Sequence, residues 1–263
     1  MSNSVGALVG DNICKTYHIK GQAPVQALKN CSFEFDPEKL NVVMGTSGCG
    51  KSTLALILAG YVRADQDSVT IDGSPVTGSG SDRLMVFQET ALWPWMTVQD
   101  NVIFGPLSRG ESRAKAIEAS NELLERFGLG DFKTKYPSQL SGGMMRRAEL
   151  AQALVNSPKV MILDEPFRGL DVMTRELMQE YYLKLFEDTG MSTVFITAEL
   201  EEAIFLADRI YVMSDAPGRI VEIIDIDLPR PRKISCTATK RYAELEQEVL
   251  AALYAGQSED VSE

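Results

Sequence analysis

No stretch of this 263-residue chain approaches the roughly 18 consecutive apolar residues that a bilayer-crossing helix requires, so nothing in it is expected to span a membrane. The first residues, MSNSVGALVGDN, lack the charged start and apolar centre of a secretory leader. The four cysteines (Cys14, Cys31, Cys49 and Cys236) make no CxxC pair, which argues for reduced thiols and an intracellular setting. Basic charge is also short: 26 Lys and Arg stand against 37 Asp and Glu, a net of −11. That balance speaks against a grip on nucleic acid or on anionic lipid, both of which need basic patches. Internal repeats and low-complexity tracts are absent, and His18 is the single histidine.

Against these absences stands one dense motif, GTSGCGKST at 45–53. Gly45, Gly48 and Gly50 permit a tight turn whose backbone N–H groups face inward at an anion. Lys51 supplies a mobile positive charge for the terminal phosphates of a nucleotide, and Ser52 a hydroxyl for Mg²⁺. The flanks agree, since LNVVM (40–44) reads as a buried strand and STLALILAG (52–60) as a helix. Phosphates held by residues Gly45, Thr46, Ser47, Gly48, Cys49, Gly50, Lys51, Ser52 and Thr53 would sit at a helix N-terminus, where the dipole favours negative charge.

A second block narrows the reading. LSGGMMRR (140–147) is followed by VMILDEPFRGLD (160–171), whose apolar run VMIL suits a buried parallel strand. Asp164 ends that strand, placed to hold Mg²⁺ through water, and Glu165 follows, placed to polarise an attacking water. Ser141, Gly142 and Gly143 open another helix and so form a second N-terminal phosphate site. Two rigid helices of one chain cannot both serve one nucleotide. The geometry therefore implies two nucleotides sandwiched between two chains, the SGG turn of each closing over the other's phosphate loop.

The order of these motifs resembles the ATP-binding subunit of ABC transporters along nearly the whole chain. In that resemblance GTSGCGKST is the Walker A motif, Gln88 the Q-loop glutamine, LSGGM the signature, MILDE the Walker B strand with its catalytic glutamate, and GLD (169–171) the D-loop. Tyr17 stands where the family stacks an aromatic ring on adenine. Further likeness in 88–102, 204–220 and 228–233 points to the nitrate, sulfonate and taurine importer branch. The resemblance implies an α/β fold: a P-loop NTPase core with an antiparallel β subdomain and a helical signature subdomain. It further implies ATP and Mg²⁺ as ligands, with Ser52, Gln88 and Asp164 on the metal, and catalytic roles for Glu165, Lys51, Gln88 and Asp171. Expected partners are an identical or second ATPase chain, integral permease subunits and, indirectly, a solute-binding protein. Nucleic acid is not among them. The expected location is the cytoplasmic face of a bacterial inner membrane, and an acidic chain suits docking onto the Lys- and Arg-rich cytoplasmic loops found there.

One position breaks the pattern. After MSTVFIT (191–197) the family usually has a histidine at the γ-phosphate, and here it is Ala198, followed by Glu199 where aspartate is usual. A methyl group neither donates nor accepts a hydrogen bond, and His18 is far upstream. Losing one preorganised donor near developing phosphoryl charge costs roughly 100- to 1000-fold in rate. Three readings stay open: a naturally slow or partner-assisted enzyme, an introduced change that traps the ATP-bound state, or catalysis by Glu165 without help. Milder departures are Met145, Arg146, Gln152 and Arg168, expected to lie on a solvated face. Cys49 is expected to alkylate readily, with ATP protecting it.

Organisation follows hydrophobic patterning. Residues 5–43 alternate as β-strands beside the phosphate loop, and 66–87 return to strands at SVTID and LMVF. A helical zone runs from 97 to about 156, with RAKAIEASNELLERFGL (113–129) its clearest amphipathic stretch. Strands and helices then alternate through RIYVM. The ATPase domain is placed at 1–235, leaving a C-terminal helix (239–256) with apolar Tyr242, Leu245, Val249, Leu250 and Leu253, and a disordered GQSEDVSE end. Trp93 and Trp95 either pack the joint of the helical zone or anchor a permease helix. Two other functions remain: a nucleotide-dependent binding switch with little hydrolysis, and a soluble ABC ATPase outside transport.

Overall fold

The computed structural model describes residues 6–258. Two long antiparallel strands, β1 (Leu8–Tyr17) and β2 (Val25–Phe35), start the chain, and β3 (Leu40–Met44) follows them. The short strands β4 (Thr70–Ile71) and β5 (Ser74–Pro75) extend the first pair into a four-stranded antiparallel sheet, ordered β2-β1-β4-β5. β3 does not join that sheet, although it continues the same alternating stretch of sequence. All five of its residues are buried, so both faces need cover, and it lies inside a second, mainly parallel sheet.

That second sheet carries the site. Its order is β10-β9-β3-β8-β7-β6, with β6 Arg83–Val86, β7 Val160–Asp164, β8 Ser192–Thr197, β9 Arg209–Met213 and β10 Ile220–Asp225. All neighbours are parallel except β10, which returns antiparallel to β9. Every residue of β7 and β8 is buried, as their near-continuous apolar sequences require. Strand β10 was not foreseen. Its half-exposed, charge-punctuated IVEIID is the pattern of an edge strand, which carries less signal than a buried run.

Helix α1 (Lys51–Ala59) packs Leu54, Ala55, Ile57 and Leu58 against both sheets and ends at Gly60. There φ is 80°, and a Cβ would sit 2.2 Å from the Gly78 carbonyl oxygen, so only glycine closes this helix. The helical zone comprises α2 (Val98–Ser108), α3 (Arg113–Arg126) and α4 (Gly142–Leu154). Side chains of Thr97, Ser112 and Ser141 cap them by accepting from Asp100 N, Lys115 N and Met144 N. Helices α5 (Val172–Thr189) and α6 (Leu200–Leu206) cross between the later strands.

The last helix, α7 (Lys240–Ser258), lays Tyr242, Leu245, Val249 and Ala252 into the main core, and the Tyr242 hydroxyl donates to the Glu201 carbonyl at 2.9 Å. Leu250 and Leu253 are half-buried. The stretch GQSEDVSE begins inside this helix, since Gly256–Ser258 are helical, and residues 259–263 lie outside the described residues, as do 1–5. Among the described residues no helix is long and apolar enough to cross a membrane.

Candidate active site

Strand register decides which motifs meet. Met44 pairs with Thr197, Asp164 with Ile196, and Val86 with Leu163. The chain therefore leaves four adjacent strands at one edge of the sheet: Gly45 after β3, Ala198 after β8, Glu165 after β7 and Phe87–Gln88 after β6. Carboxyl ends of parallel strands are where such sheets bind ligands, because loops there are free to vary over a rigid base.

Within the phosphate loop, Lys51 is 4% exposed and its Nζ donates to the carbonyls of Gly45 (2.9 Å) and Thr46 (2.7 Å). The loop's own backbone thus centres the ammonium. Gly48 (φ 85°) and Gly50 (φ 108°) hold left-handed conformations, and a Cβ on Gly50 would lie 2.6 Å from the Ala27 carbonyl oxygen. Thr46 Oγ1 donates to Asp215, tying the loop to the segment after β9. Ser47 and Ser52 face solvent and Thr53 is half-buried. Cys49 is 1% exposed, and burial pushes its thiol pKa up against the pull of Lys51. The expectation of ready alkylation is corrected by this enclosure: the thiolate is disfavoured and the sulfur is covered.

Asp164 is 5% exposed. Burial raises its carboxyl pKa, with a hydrogen bond from Ser52 acting the other way, and its Oδ1 has no hydrogen-bond partner. A buried carboxylate oxygen with nothing to accept from, set beside a hydroxyl, fits a hard cation that needs oxygen ligands. Among the described residues no cluster of three or more His, Cys, Asp or Glu side chains is placed for a metal. Asp164 and Ser52 thus offer oxygen ligands of the kind that Mg²⁺ would take.

Glu165 adopts φ 44°, a costly conformation for a non-glycine residue, and its N–H donates to Ile196 O at 2.9 Å. Its Oε2 pairs with Arg168 Nη1 at 2.8 Å. Ser47, Glu165, Arg168, Arg175, Ala198 and Glu199 line a pocket of about 130 Å³, so the phosphate loop and the glutamate share one space. At position 198 the wall is a methyl group. Cations in this pocket come from Arg168, whose side chain is solvated as expected yet reaches Glu165, and from Arg175, which donates to Leu170 O at 3.3 Å. Behind them Glu202, 5% exposed, accepts from Gln179 at 2.9 Å, and burial raises its pKa.

Other expected residues lie apart. Ser141, Gly142 and Gly143 do not line this pocket: a Cβ on Gly142 would meet Leu170 at 3.3 Å, and one on Gly143 would meet Thr174 at 2.9 Å. Asp171 caps α5, accepting from Thr174 N (3.0 Å) and Thr174 Oγ1 (2.6 Å), which lowers its pKa. Tyr17 is half-buried at the end of β1, with Lys15 Nζ 5.7 Å from its ring centroid. The Gln88 side chain is exposed.

The departures on α4 are not a solvated face. Arg146 is 5% exposed and Glu149 4%, Arg146 donates to the Phe87 and Gln88 carbonyls, and Gln152 donates to Asn101 O at 3.2 Å. The sequence did hold a signal: Arg146, Glu149 and Ala153 share the helical spacing of buried Gly143 and Leu150.

Residues 28–168 match the ABC transporter family. The chain belongs to that family. It is 41% identical over 222 residues, 84% of this chain and 83% of the relative, to an uncharacterised ABC transporter ATP-binding protein of Methanocaldococcus jannaschii. A taurine import ATP-binding protein of Ruegeria pomeroyi is 43% identical, covering 80% of this chain and 78% of its own length. A nitrate import ATP-binding protein of Synechocystis is 42% identical, covering 78% and 77%. Among solved structures, a dimeric ATP-binding cassette bound to ADP and phosphate superposes with TM-score 0.74 at 27% identity, over 84% of this chain and all of that one. The fold expected from sequence, a P-loop core with antiparallel and helical additions, is the fold of these cassettes.

Proposed function

We propose that this chain is the ATPase subunit of an importer for a small solute of the nitrate, sulfonate or taurine kind, acting by ATP-driven closure of a pair. The single observation that carries the nucleotide reading is the buried, unpartnered Asp164 Oδ1 beside Ser52, at the sheet edge where the Lys51 loop and Glu165 converge. Lys51 and the loop amides from Gly45 to Thr53 hold the phosphates, and Tyr17 stacks on the base. Ser52, Asp164 and Gln88 would hold Mg²⁺, which when bound would supply positive charge against the phosphates. Glu165 accepts the proton of the attacking water. Ser141, Gly142 and Gly143 do not line their own chain's pocket, which supports their use on the nucleotide of a second ATPase chain, identical or not, with Asp171 at the joint.

Relatives named for taurine and nitrate import support the importer branch. An apolar groove of about 290 Å³, lined in part by Phe87, Trp93 and Phe104, supports docking of a permease helix at the cytoplasmic membrane face, with Trp95, 69% exposed, as anchor. Trp93 already packs on Phe104, with ring centroids 4.1 Å apart. Titration of the full chain with Mg-ATP tests the nucleotide half. Lys51→Ala should weaken binding at least about tenfold by removing the buried ammonium, and Glu165→Gln should yield an ATP-dependent dimer in sedimentation. No ATP binding, or binding indifferent to Lys51→Ala, refutes the reading. One observation favours a second reading, a binding switch with little turnover: the methyl wall at Ala198.

A further inference from the structure

Where the chain leaves β6, two consecutive carbonyls, Phe87 O and Gln88 O, are met by side chains instead of a neighbouring strand. Arg146 supplies the donors: Nη1 reaches Phe87 O at 2.8 Å and Nη2 reaches Gln88 O at 2.7 Å. A planar guanidinium spans two adjacent acceptors in a way that an ammonium cannot. Three residues along α4, Glu149 Oε1 accepts from Ala91 N, so this one pair of side chains holds the loop from 87 to 91. Glu149 Oε2 lies 2.7 Å from Arg146 Nη1 but is off the hydrogen-bond line, leaving it a contact ion pair with no hydrogen bond of its own. The two side chains are 6% and 4% exposed.

Burying such a pair is a poor way to gain stability. Desolvation penalises both charges, and packed apolar residues of similar volume commonly do as well or better. What apolar residues cannot do is hold the three backbone groups of the loop. The next stretch is secured the same way: Asn101, fully buried, accepts from Trp93 N (2.8 Å) and donates to the carbonyls of Trp93, Met96 and Thr97. Glu149 and Gln152 also line the apolar groove beside Phe87 and Trp93, so an occupant of that groove bears directly on the pair.

We propose that Arg146 and Glu149 are positioning residues that fasten the Gln88 loop to the helix starting at Ser141, so that Gln88 and the Ser141 turn move as one body under load from the groove. The proposal rests on the nucleotide reading above and deepens it. The pair touches neither nucleotide nor metal and acts through Gln88.

The test compares the full-length chain with Gln88→Ala, with Arg146→Met/Glu149→Leu, and with the triple variant. Fluorescent-nucleotide titration at varied free Mg²⁺ and thermal unfolding are the readouts. The double variant strands no buried charge, which offsets the loss of partners for three loop backbone groups, so its Tm should stay within about 4 °C of the parent, and nucleotide affinity in EDTA should be unchanged. Its Mg²⁺ requirement should rise about tenfold, the scale of losing a residue that orients a metal ligand. Gln88→Ala should shift it equally, and the triple variant no further. Arg146→Lys, which keeps the charge but cannot span both carbonyls, should shift it by about threefold, and decides the matter if the double variant does not fold. Unaltered Mg²⁺ dependence, or shifts that add in the triple variant, would overturn the proposal while leaving the nucleotide reading intact. A wild-type chain that binds no ATP would overturn both.

Discussion

Placing histidine at position 198 tests the chemistry of this site most directly. Ala198 is exposed and lines the pocket shared by Ser47 and Glu165, so an imidazole there displaces no buried side chain. A surface change of this sort should alter stability by no more than about 0.5 kcal/mol. Adding one aimed donor where phosphoryl charge develops is worth roughly 100- to 1000-fold in rate, about 2.7–4 kcal/mol of barrier. Arg168 limits that gain. Its guanidinium already stands in the pocket, 2.8 Å from Glu165 Oε2, so part of the charge stabilisation is in place before histidine arrives. The full gain therefore belongs to Ala198→His made on Arg168→Ala, and a smaller one to Ala198→His alone. Phosphate release at saturating Mg-ATP gives kcat for each variant, and equilibrium titration gives ATP affinity, which should change less than about threefold because Lys51 and the loop amides are untouched. A kcat within twofold of the parent on both backgrounds would refute the assignment of position 198.

Two further outcomes follow from burial. Cys49 in the native chain should react with iodoacetamide at least about tenfold more slowly than in the urea-unfolded chain, by mass spectrometry, since the thiol is covered and its thiolate disfavoured. Equal rates would contradict the enclosed loop. Glu202 has its carboxyl pKa raised above the ordinary 4.5 by burial, so the folded chain keeps that proton to higher pH than the unfolded chain. Its stabilising contribution is complete below about pH 4.5 and is lost as pH rises through the raised value. Over a series from about pH 4 to pH 8, the Tm of Glu202→Gln should therefore rise relative to the parent as pH increases. A constant gap would show that Glu202 does not titrate across that window.

Much of this molecule is written locally. The phosphate loop is legible because glycines, lysine and serine at fixed spacing fix both backbone shape and charge. The strands β3, β7 and β8 are legible because a strand buried on both faces favours a mostly apolar, β-branched-rich run, as in LNVVM, VMILD and STVFIT. The caps Thr97, Ser112, Ser141 and Asp171 sit one residue before their helices and act through atoms three residues away. The sequence by itself therefore determined the fold and the family, and it marked the 45–53 loop and Ala198 as candidate site positions. Tertiary structure alone decided the company each group keeps: that β3 leaves the antiparallel sheet, that Cys49 is shut in, that Arg168 pairs with Glu165, and that Arg146 and Glu149 go inside to hold the Gln88 loop. The physical reason is that a side chain's burial and partners depend on segments remote in sequence. Spacing puts Arg146 on the buried side of its own helix, but only the carbonyls arriving from β6, 58 to 59 residues away, make burial of a guanidinium tolerable.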